Sequence, residues 1–187
     1  MLGRARKLLT SRVKRLLLPP AAKAEARRDR EERLFDDPGP EAAVRFGGRW
    51  LARAQDRSKS ADGGVARHFS LTTGWAPSYP ETTGYIVPTV LALADNHDDA
   101  DMARRGERML SWLERIQMPD GAYQGGVVGV AHPVPVVFNT GQILIGLACG
   151  ASRLGGRFAD AMLRHGASWR RPRRRLTTNM PCMRFAT

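Results

Sequence analysis

The 187-residue sequence predicts an all-α protein that contains about two copies of one helical hairpin. Three short segments occur twice in the same order: a Trp-Leu-x-x-x-Gln segment (50–55 and 112–117), an Asp-Gly pair (62–63 and 120–121) and a Thr-Gly pair (83–84 and 140–141). Segments that recur in the same order at this spacing along the chain indicate two copies of one supersecondary unit. Such units bury their apolar faces mainly against neighbouring copies, so we expect residues 40–151 to form two packed hairpins of a larger array.

The positive charge of the chain lies at its two ends. The net charge is +12, but residues 1–30 carry ten Lys or Arg against two acids, and residues 161–187 carry seven against none. The repeats between them are therefore slightly acidic. Nucleic acid is not the predicted partner, because the ends offer only salt-dependent attraction and contain no recognisable reading motif.

Residues 1–39 are predicted to form a charged helical leader and a linker. Within residues 1–18, lysines and arginines alternate with leucines, which indicates a basic amphipathic helix that ends at Pro19-Pro20. Its apolar runs are too short for a signal peptide or a membrane span, so a cytoplasmic location is expected. Two interpretations stay open, namely peripheral contact of residues 1–18 with an anionic membrane surface and a solvated helix packed on the next element.

Each repeat is predicted to consist of an outer helix, a glycine-containing loop and a more apolar inner helix. The predicted helices in chain order are an outer helix around 43–54, an inner helix at about 81–94, an outer helix around 102–116 and an inner helix at about 139–151. The inner helices have few charges and should face the interior. Trp50 and Trp112 are expected to be core wedges between hairpins. This arrangement is typical of the hairpins of an α/α toroid.

The repeated segments resemble the α/α toroids shared by terpenoid cyclases, protein prenyltransferases and six-hairpin glycosidases. Residues 78–86 and 137–144 look most like uncharacterised toroid proteins encoded with bacterial polysaccharide-biosynthesis genes. The resemblance covers residues 41 to about 150 and implies a carbohydrate ligand. A terpenoid-cyclase-like or prenyltransferase-like enzyme is the alternative, but the acid motif of the former and the zinc triad of the latter are missing. The acidic run 98–101 is expected to cap an outer helix instead.

The loops that enter the inner helices of a toroid open on a central cavity, so we expect the site residues there. Glycoside chemistry needs two carboxyl groups across the scissile bond, and the catalytic candidates are Glu81, Asp62 and Asp120. Aromatic rings pack on the apolar C–H face of a sugar, and its hydroxyls need polar partners. The predicted substrate contacts are Trp75, Tyr79, Tyr85, Tyr123, Gln124 and Gln142. No metal or cofactor is predicted, because the cysteines and histidines form no ligand cluster.

Each candidate carboxylate also has a structural interpretation. Ser78-x-x-Glu81 matches a capping box, in which Glu81 bonds back to the Ser78 backbone. Asp-Gly pairs are typical of turns, and Asn139-Thr140 would cap the second inner helix. The corresponding alternative function is a non-catalytic glycan-binding or scaffold protein, in which the aromatic side chains matter and the carboxylates do not.

The repeat pattern ends after about Ala151. Trp169 stands where a third outer helix is expected, but Pro172 and several arginines follow it. One hypothesis is that the reading frame has slipped between Ala151 and Arg170, so that residues 152–187 are a degraded third repeat and a disordered basic tail. The alternative is a genuine basic tail that binds nucleic acid or an acidic partner. With two hairpins, the chain is expected to be inactive alone and to need later repeats or a completing subunit.

Overall fold

The computed structural model describes Val13, residues 16–31 and residues 37–168, and this part of the chain is mostly helical. The all-α prediction is therefore confirmed for the described residues. The elements in chain order are α1 (Pro20–Arg30), α2 (Gly39–Asp56), β1 (Phe69–Ser70), β2 (Gly74–Trp75), α3 (Pro80–His97), α4 (Ala100–Arg115), α5 (Val137–Leu154) and α6 (Arg157–Ser168). The two short strands pair antiparallel, with Phe69 opposite Trp75.

The two predicted inner helices, α3 and α5, run parallel and touch through their backbones. A Cβ atom added at Gly84 would lie 2.6 Å from the Ile143 Cα, and one added at Gly146 would lie 2.3 Å from the Gly84 carbonyl oxygen. Only glycine permits so close an approach. Further along both helices, the Arg153 guanidinium donates to the Leu91 carbonyl at 2.8 Å. The centre of the fold is therefore a tight pair of helices from neighbouring repeats.

The outer helices pack around this pair. Helix α4 contacts α3, and α6 contacts α5, while α2 approaches α3 and α4 through Gly48, which faces Leu93 and Met102. Trp112 on α4 is 2% exposed, as expected for a core wedge between hairpins. The largest fully buried side chains around it are Tyr123, Leu91, Met109, Leu110, Leu113, Ile143 and Leu147.

The glutamine of each Trp-Leu-x-x-x-Gln segment ties one repeat to the next. The Gln55 side-chain amide donates to the Gly63 carbonyl at 2.9 Å and to the Arg105 carbonyl on α4 at 3.2 Å. Gln117 repeats this bridge to the carbonyls of Gly121 (3.0 Å) and Ala161 (2.8 Å). Each amide thus fixes its own loop and the following outer helix. Helix α6 consequently occupies the place of a third outer helix.

Several details of the sequence prediction require correction. Trp50 is not a core wedge, because its side chain is 42% exposed on α2. Both inner helices are longer at each end than predicted. The capping role of the acidic run is confirmed: the Asp99 carboxylate accepts from the backbone N–H groups of Asp101 (2.9 Å) and Met102 (3.1 Å).

Some predictions fall outside the described residues. Most of the leader helix 1–18, Cys182 and the arginine-rich stretch 170–175 lie there, as does the greater part of the stretch that the frame-slip hypothesis concerns. Helix α1 covers part of the charged helical leader predicted within residues 1–39. None of the helices in the described ranges combines the length and the apolar character that crossing a membrane requires.

Candidate functional site

The most distinctive surface feature is a group of three aromatic side chains, Trp50, Phe69 and Trp75, which we call the aromatic cluster. The Trp75 ring centroid lies 5.4 Å from that of Trp50 and 5.0 Å from that of Phe69, with interplanar angles of 57° and 67°. Trp50 is 42% and Phe69 49% exposed, and Trp75 is half-buried between them. Large apolar side chains that gather at the surface are typical of binding sites.

The loop between α2 and α3 is closed by hydrogen bonds that hold Trp75 in place. The hydroxyls of Ser58 and Ser78 lie 2.7 Å apart and are both buried. Backbone bonds then close the loop around the β-hairpin, from the Arg67 N–H to the Pro77 carbonyl and from the Ala76 N–H to the His68 carbonyl, each at 3.0 Å. Because the loop ends are fixed in this way, the hairpin presents Trp75 towards α2.

Trp75 is a predicted site residue, whereas Trp50 and Phe69 are not. The repeat predicts a core position for Trp50 because its counterpart Trp112 belongs to the core. The signal that points the other way is the composition of its helix face. At a helical rotation of about 100° per residue, Arg53 and Arg57 lie on the same side of α2 as Trp50. Unpaired arginines are almost never fully buried, so this side of the helix should face solvent.

Both candidate aspartates form turns in equivalent loops. The Asp62 carboxylate accepts from the Gly64 N–H at 3.1 Å and from the Ser78 hydroxyl at 2.6 Å. The Asp120 carboxylate accepts from the Ala122 N–H at 3.1 Å and is exposed. The turn interpretation of both Asp-Gly pairs is thereby confirmed, and a catalytic role for these carboxylates stays a prediction.

Glu81 lies in the first turn of α3 and is half-buried, but the capping-box interpretation is wrong. The helix begins at Pro80, and the Ser78 N–H donates to the Ser60 hydroxyl at 3.0 Å instead of to Glu81. The Glu81 carboxylate is placed near the N-terminus of α3, where the helix dipole favours negative charge. Its role in catalysis is likewise still a prediction.

The repeated threonines, not the predicted caps, join the loops to the inner helices. The Thr83 hydroxyl accepts from the Val65 N–H and donates to the Tyr79 carbonyl, both at 2.9 Å. Thr140 makes the same pair of bonds to Tyr123 (3.0 Å) and Val136 (2.9 Å). The prediction that Asn139 and Thr140 cap the second inner helix is wrong, because α5 begins at Val137 and both side chains are buried.

Two predicted substrate contacts lie in the interior. Tyr123 is fully buried, and its hydroxyl has no hydrogen-bond partner among the described residues. This burial raises the tyrosine pKa above its ordinary value, because the charged form would lose its hydration. Gln124 is 7% exposed, and its amide donates to the Val127 carbonyl at 2.7 Å. We therefore remove Tyr123 and Gln124 from the candidate ligand contacts: the second loop folds them inward when the Val136 N–H bonds to the Tyr123 carbonyl.

The remaining predicted contacts lie in two places. Tyr79 belongs to the same loop as Trp75, and the Arg67 guanidinium lies 4.8 Å from its ring centroid. Tyr85 is 44% exposed on α3, and Gln142 is half-buried on α5. The aromatic residues of the first loop therefore form a surface together with α2, whereas Tyr85 and Gln142 lie on the inner helices.

A charged groove of about 750 Å³ lies between α4, the end of α2 and the loop that contains Asp62. Arg105 is central to it, because its guanidinium donates to both oxygens of Asp56 (2.7 and 2.9 Å) and to Asp101 (2.6 Å). The bond from Arg105 holds the pKa of Asp101 below its usual value. Arg104 also pairs with Asp101, and Arg108 with Asp56, so the groove contains an ion-pair network between α2 and α4.

Two further findings concern the chemistry of the site. Within the described ranges, no three His, Cys, Asp or Glu side chains come together as metal ligands. Comparisons of this chain with protein-family models, curated proteins and solved structures find no match. The candidate site therefore rests on its own geometry.

Proposed function

We propose that this protein binds carbohydrate at the aromatic cluster and takes part in bacterial polysaccharide metabolism or biosynthesis. The single observation that carries the proposal is the contact at the surface of Trp50 on α2 with Trp75 of the hairpin, which in turn contacts Phe69. An aromatic ring packs on the apolar C–H face of a pyranose, and tilted neighbouring rings suit the changing orientation of linked sugars. The sequence resemblance to toroid proteins of polysaccharide biosynthesis gives the biological setting.

We infer that the hairpins form part of an α/α toroid. The parallel contact of α3 with α5 and the repeated glutamine bridges support this inference, since both are neighbour-to-neighbour contacts that could continue in a ring. Gly141, the repeat counterpart of Gly84, is exposed on α5, and a Cβ atom added there would have no atom of the described residues within 4 Å. An inner helix of a further repeat, in this chain or a completing subunit, is the occupant that this open flank would accept.

Binding without catalysis is the form of the proposal that the site residues support best. Asp62 is engaged by Gly64 and Ser78, and Asp120 holds a turn in the other loop. Glycoside hydrolysis needs a second carboxyl group across the scissile bond, and of the acids that line the charged groove with Asp62, Asp56 and Asp101 are bound by Arg105. The cyclase-like alternative is weaker still, since Asp99 caps α4 and Asp101 pairs with Arg105.

The test is a binding assay of the full chain on a panel of soluble polysaccharides, namely β-glucan, xylan, polygalacturonate and alginate. We expect Trp75→Ala to weaken binding to the preferred glycan about tenfold, as loss of one aromatic contact implies. Phe138→Ala is the matched control, because Phe138 is 62% exposed on α5, outside the cluster. It should leave affinity unchanged.

Glu81→Gln separates binding from catalysis. We expect this variant to retain full affinity, and we expect neither it nor the unaltered chain to release reducing ends from any glycan. The proposal fails if no polysaccharide of the panel binds, or if Trp75→Ala and Phe138→Ala weaken binding equally. Cleavage that Glu81→Gln abolishes would replace the binding proposal with an enzymatic one.

A further inference from the structure

Helix α2 and its C-cap residue Arg57 carry a line of arginines beside the aromatic cluster. Arg49, Arg53 and Arg57 follow one another at four-residue intervals, and all three side chains are exposed. At 3.6 residues per turn, they lie within an arc of about 100° that also contains Phe46 and Trp50. We call Arg49, Arg53 and Arg57 the arginine line. It places three guanidinium groups along the edge of the surface that Trp50 and Trp75 form.

The arginine line has no anionic partner within the described part of the chain. The acids of α2 are engaged elsewhere, because Glu41 pairs with Arg45 and Asp56 pairs with Arg105. Arg49 lies over the Phe46 ring at 4.8 Å from its centroid, which orients the guanidinium without neutralising it. The line is therefore a set of exposed positive charges whose counterions come from outside the described residues.

The repeat counterpart of this face behaves differently. On α4, Trp112 is buried and the arginines are used internally: Arg105 binds Asp56 and Asp101, and Arg115 donates to the Asp62 carbonyl at 2.8 Å. The corresponding helix face is therefore packed in the second repeat, whereas in the first repeat it is exposed, cationic and aromatic.

We propose that the ligand of this face is an acidic polysaccharide, with the aromatic cluster on its sugar rings and the arginine line on its carboxylates. The inference rests on the proposed carbohydrate function and specifies its substrate class. Arginine suits this ligand because its planar guanidinium group donates two parallel hydrogen bonds to one carboxylate. A neutral glycan would leave the three cations without a role. Single-stranded nucleic acid is less well matched, because the rings are tilted by 57° and 67° and so do not offer parallel stacking platforms.

The test compares polygalacturonate with β-glucan of matched length as probes for the full chain, in about 150 mM NaCl to screen distant charge. The variant is Arg53→Gln with Arg57→Gln. The matched control is Arg27→Gln with Arg104→Gln, which removes the same charge from side chains that are 70% and 67% exposed on α1 and α4. Circular dichroism and the urea unfolding midpoint confirm that each variant is folded.

We expect polygalacturonate to bind at least tenfold more tightly than β-glucan. The Arg53/Arg57 variant should lose about fivefold to tenfold in affinity for polygalacturonate, as two exposed charge pairs imply, and less than about twofold for β-glucan. The Arg27/Arg104 control should stay within about twofold on both probes.

Three results would overturn the inference and leave the carbohydrate proposal standing: equal affinity for the two glycans, no loss in the Arg53/Arg57 variant, or equal losses in variant and control. Absence of binding to either glycan would overturn both proposals. Tighter binding of single-stranded poly(U) or of phosphatidylglycerol vesicles than of polygalacturonate, lost in the Arg53/Arg57 variant, would reassign the face to nucleic acid or to a membrane surface.

Discussion

Alanine at Gly84 and alanine at its repeat counterpart Gly141 should have opposite effects on stability. A methyl group at Gly84 would lie 2.6 Å from the Ile143 Cα and 2.8 Å from its Cγ1, whereas carbon atoms pack at about 3.5–4.0 Å. Because the nearest obstacle is backbone, α3 and α5 must separate by roughly 1 Å. At Gly141 no atom of the described part of the chain lies within 4 Å, so the methyl group enters open space there.

The magnitudes follow from this geometry. Overpacking of a core costs about 1–3 kcal/mol, and displacement of two helices belongs near the upper end even after alanine's higher helix propensity is included, so Gly84→Ala should lose about 2 kcal/mol. Gly141→Ala should gain about 0.5–1 kcal/mol, because alanine restricts the unfolded chain and suits a helix. The entropic contribution is common to both sites. The two variants should therefore differ by about 3 kcal/mol.

Urea unfolding of the full-length variants, followed by circular dichroism at 222 nm, measures this difference. With a denaturant slope of about 2 kcal/mol/M, the two midpoints should lie about 1.5 M apart. The reasoning is refuted if Gly84→Ala is as stable as the unaltered protein, or if both substitutions shift the midpoint in the same direction by similar amounts. Either result would mean that α3 and α5 are not in backbone contact.

Two further substitutions test the ion-pair network and the buried tyrosine. Arg105→Ala should lose about 2–3 kcal/mol in the same unfolding assay, since its 12%-exposed guanidinium joins two carboxylates, whereas Arg104→Ala, at 67% exposure, should stay within about 0.5 kcal/mol. Tyr123→Phe should gain about 1 kcal/mol by removing a buried hydroxyl without a partner among the described residues. Burial raises the Tyr123 pKa above its value in the unfolded chain. Ionisation of Tyr123 therefore leaves the free energy of unfolding unchanged below about pH 10 and lowers it above that pH. Tyr123→Phe should weaken that alkaline loss, and equal losses with and without the hydroxyl would contradict its burial.

The repeat could be predicted from the sequence because its glutamines and threonines make hydrogen bonds that both copies need. Gln55 and Gln117 bridge a loop and the next outer helix, and Thr83 and Thr140 tie a loop to an inner helix. A residue that makes the same hydrogen bonds in both copies recurs at the same place in each copy. The helix order and most helix positions therefore followed from spacing alone.

The candidate site was less predictable, because equivalent positions in the two repeats face different neighbours. Trp50 and Trp112 occupy the same place in the repeat, but Trp112 is enclosed in the core and Trp50 is exposed on the surface. Tyr123 has the sequence context of an open loop and is nevertheless fully buried, since the Val136 pairing draws its loop inward.

By itself the sequence determined the helical hairpins and the turns at the Asp-Gly pairs, both of which depend on short-range spacing. Only the tertiary structure decided that Gly84 lies against the backbone of α5, and that Trp50, Phe69 and Trp75 meet at the surface beside the arginine line. The reason is physical: exposure and close packing depend on which helices surround a side chain, and residues far apart in the sequence supply those helices.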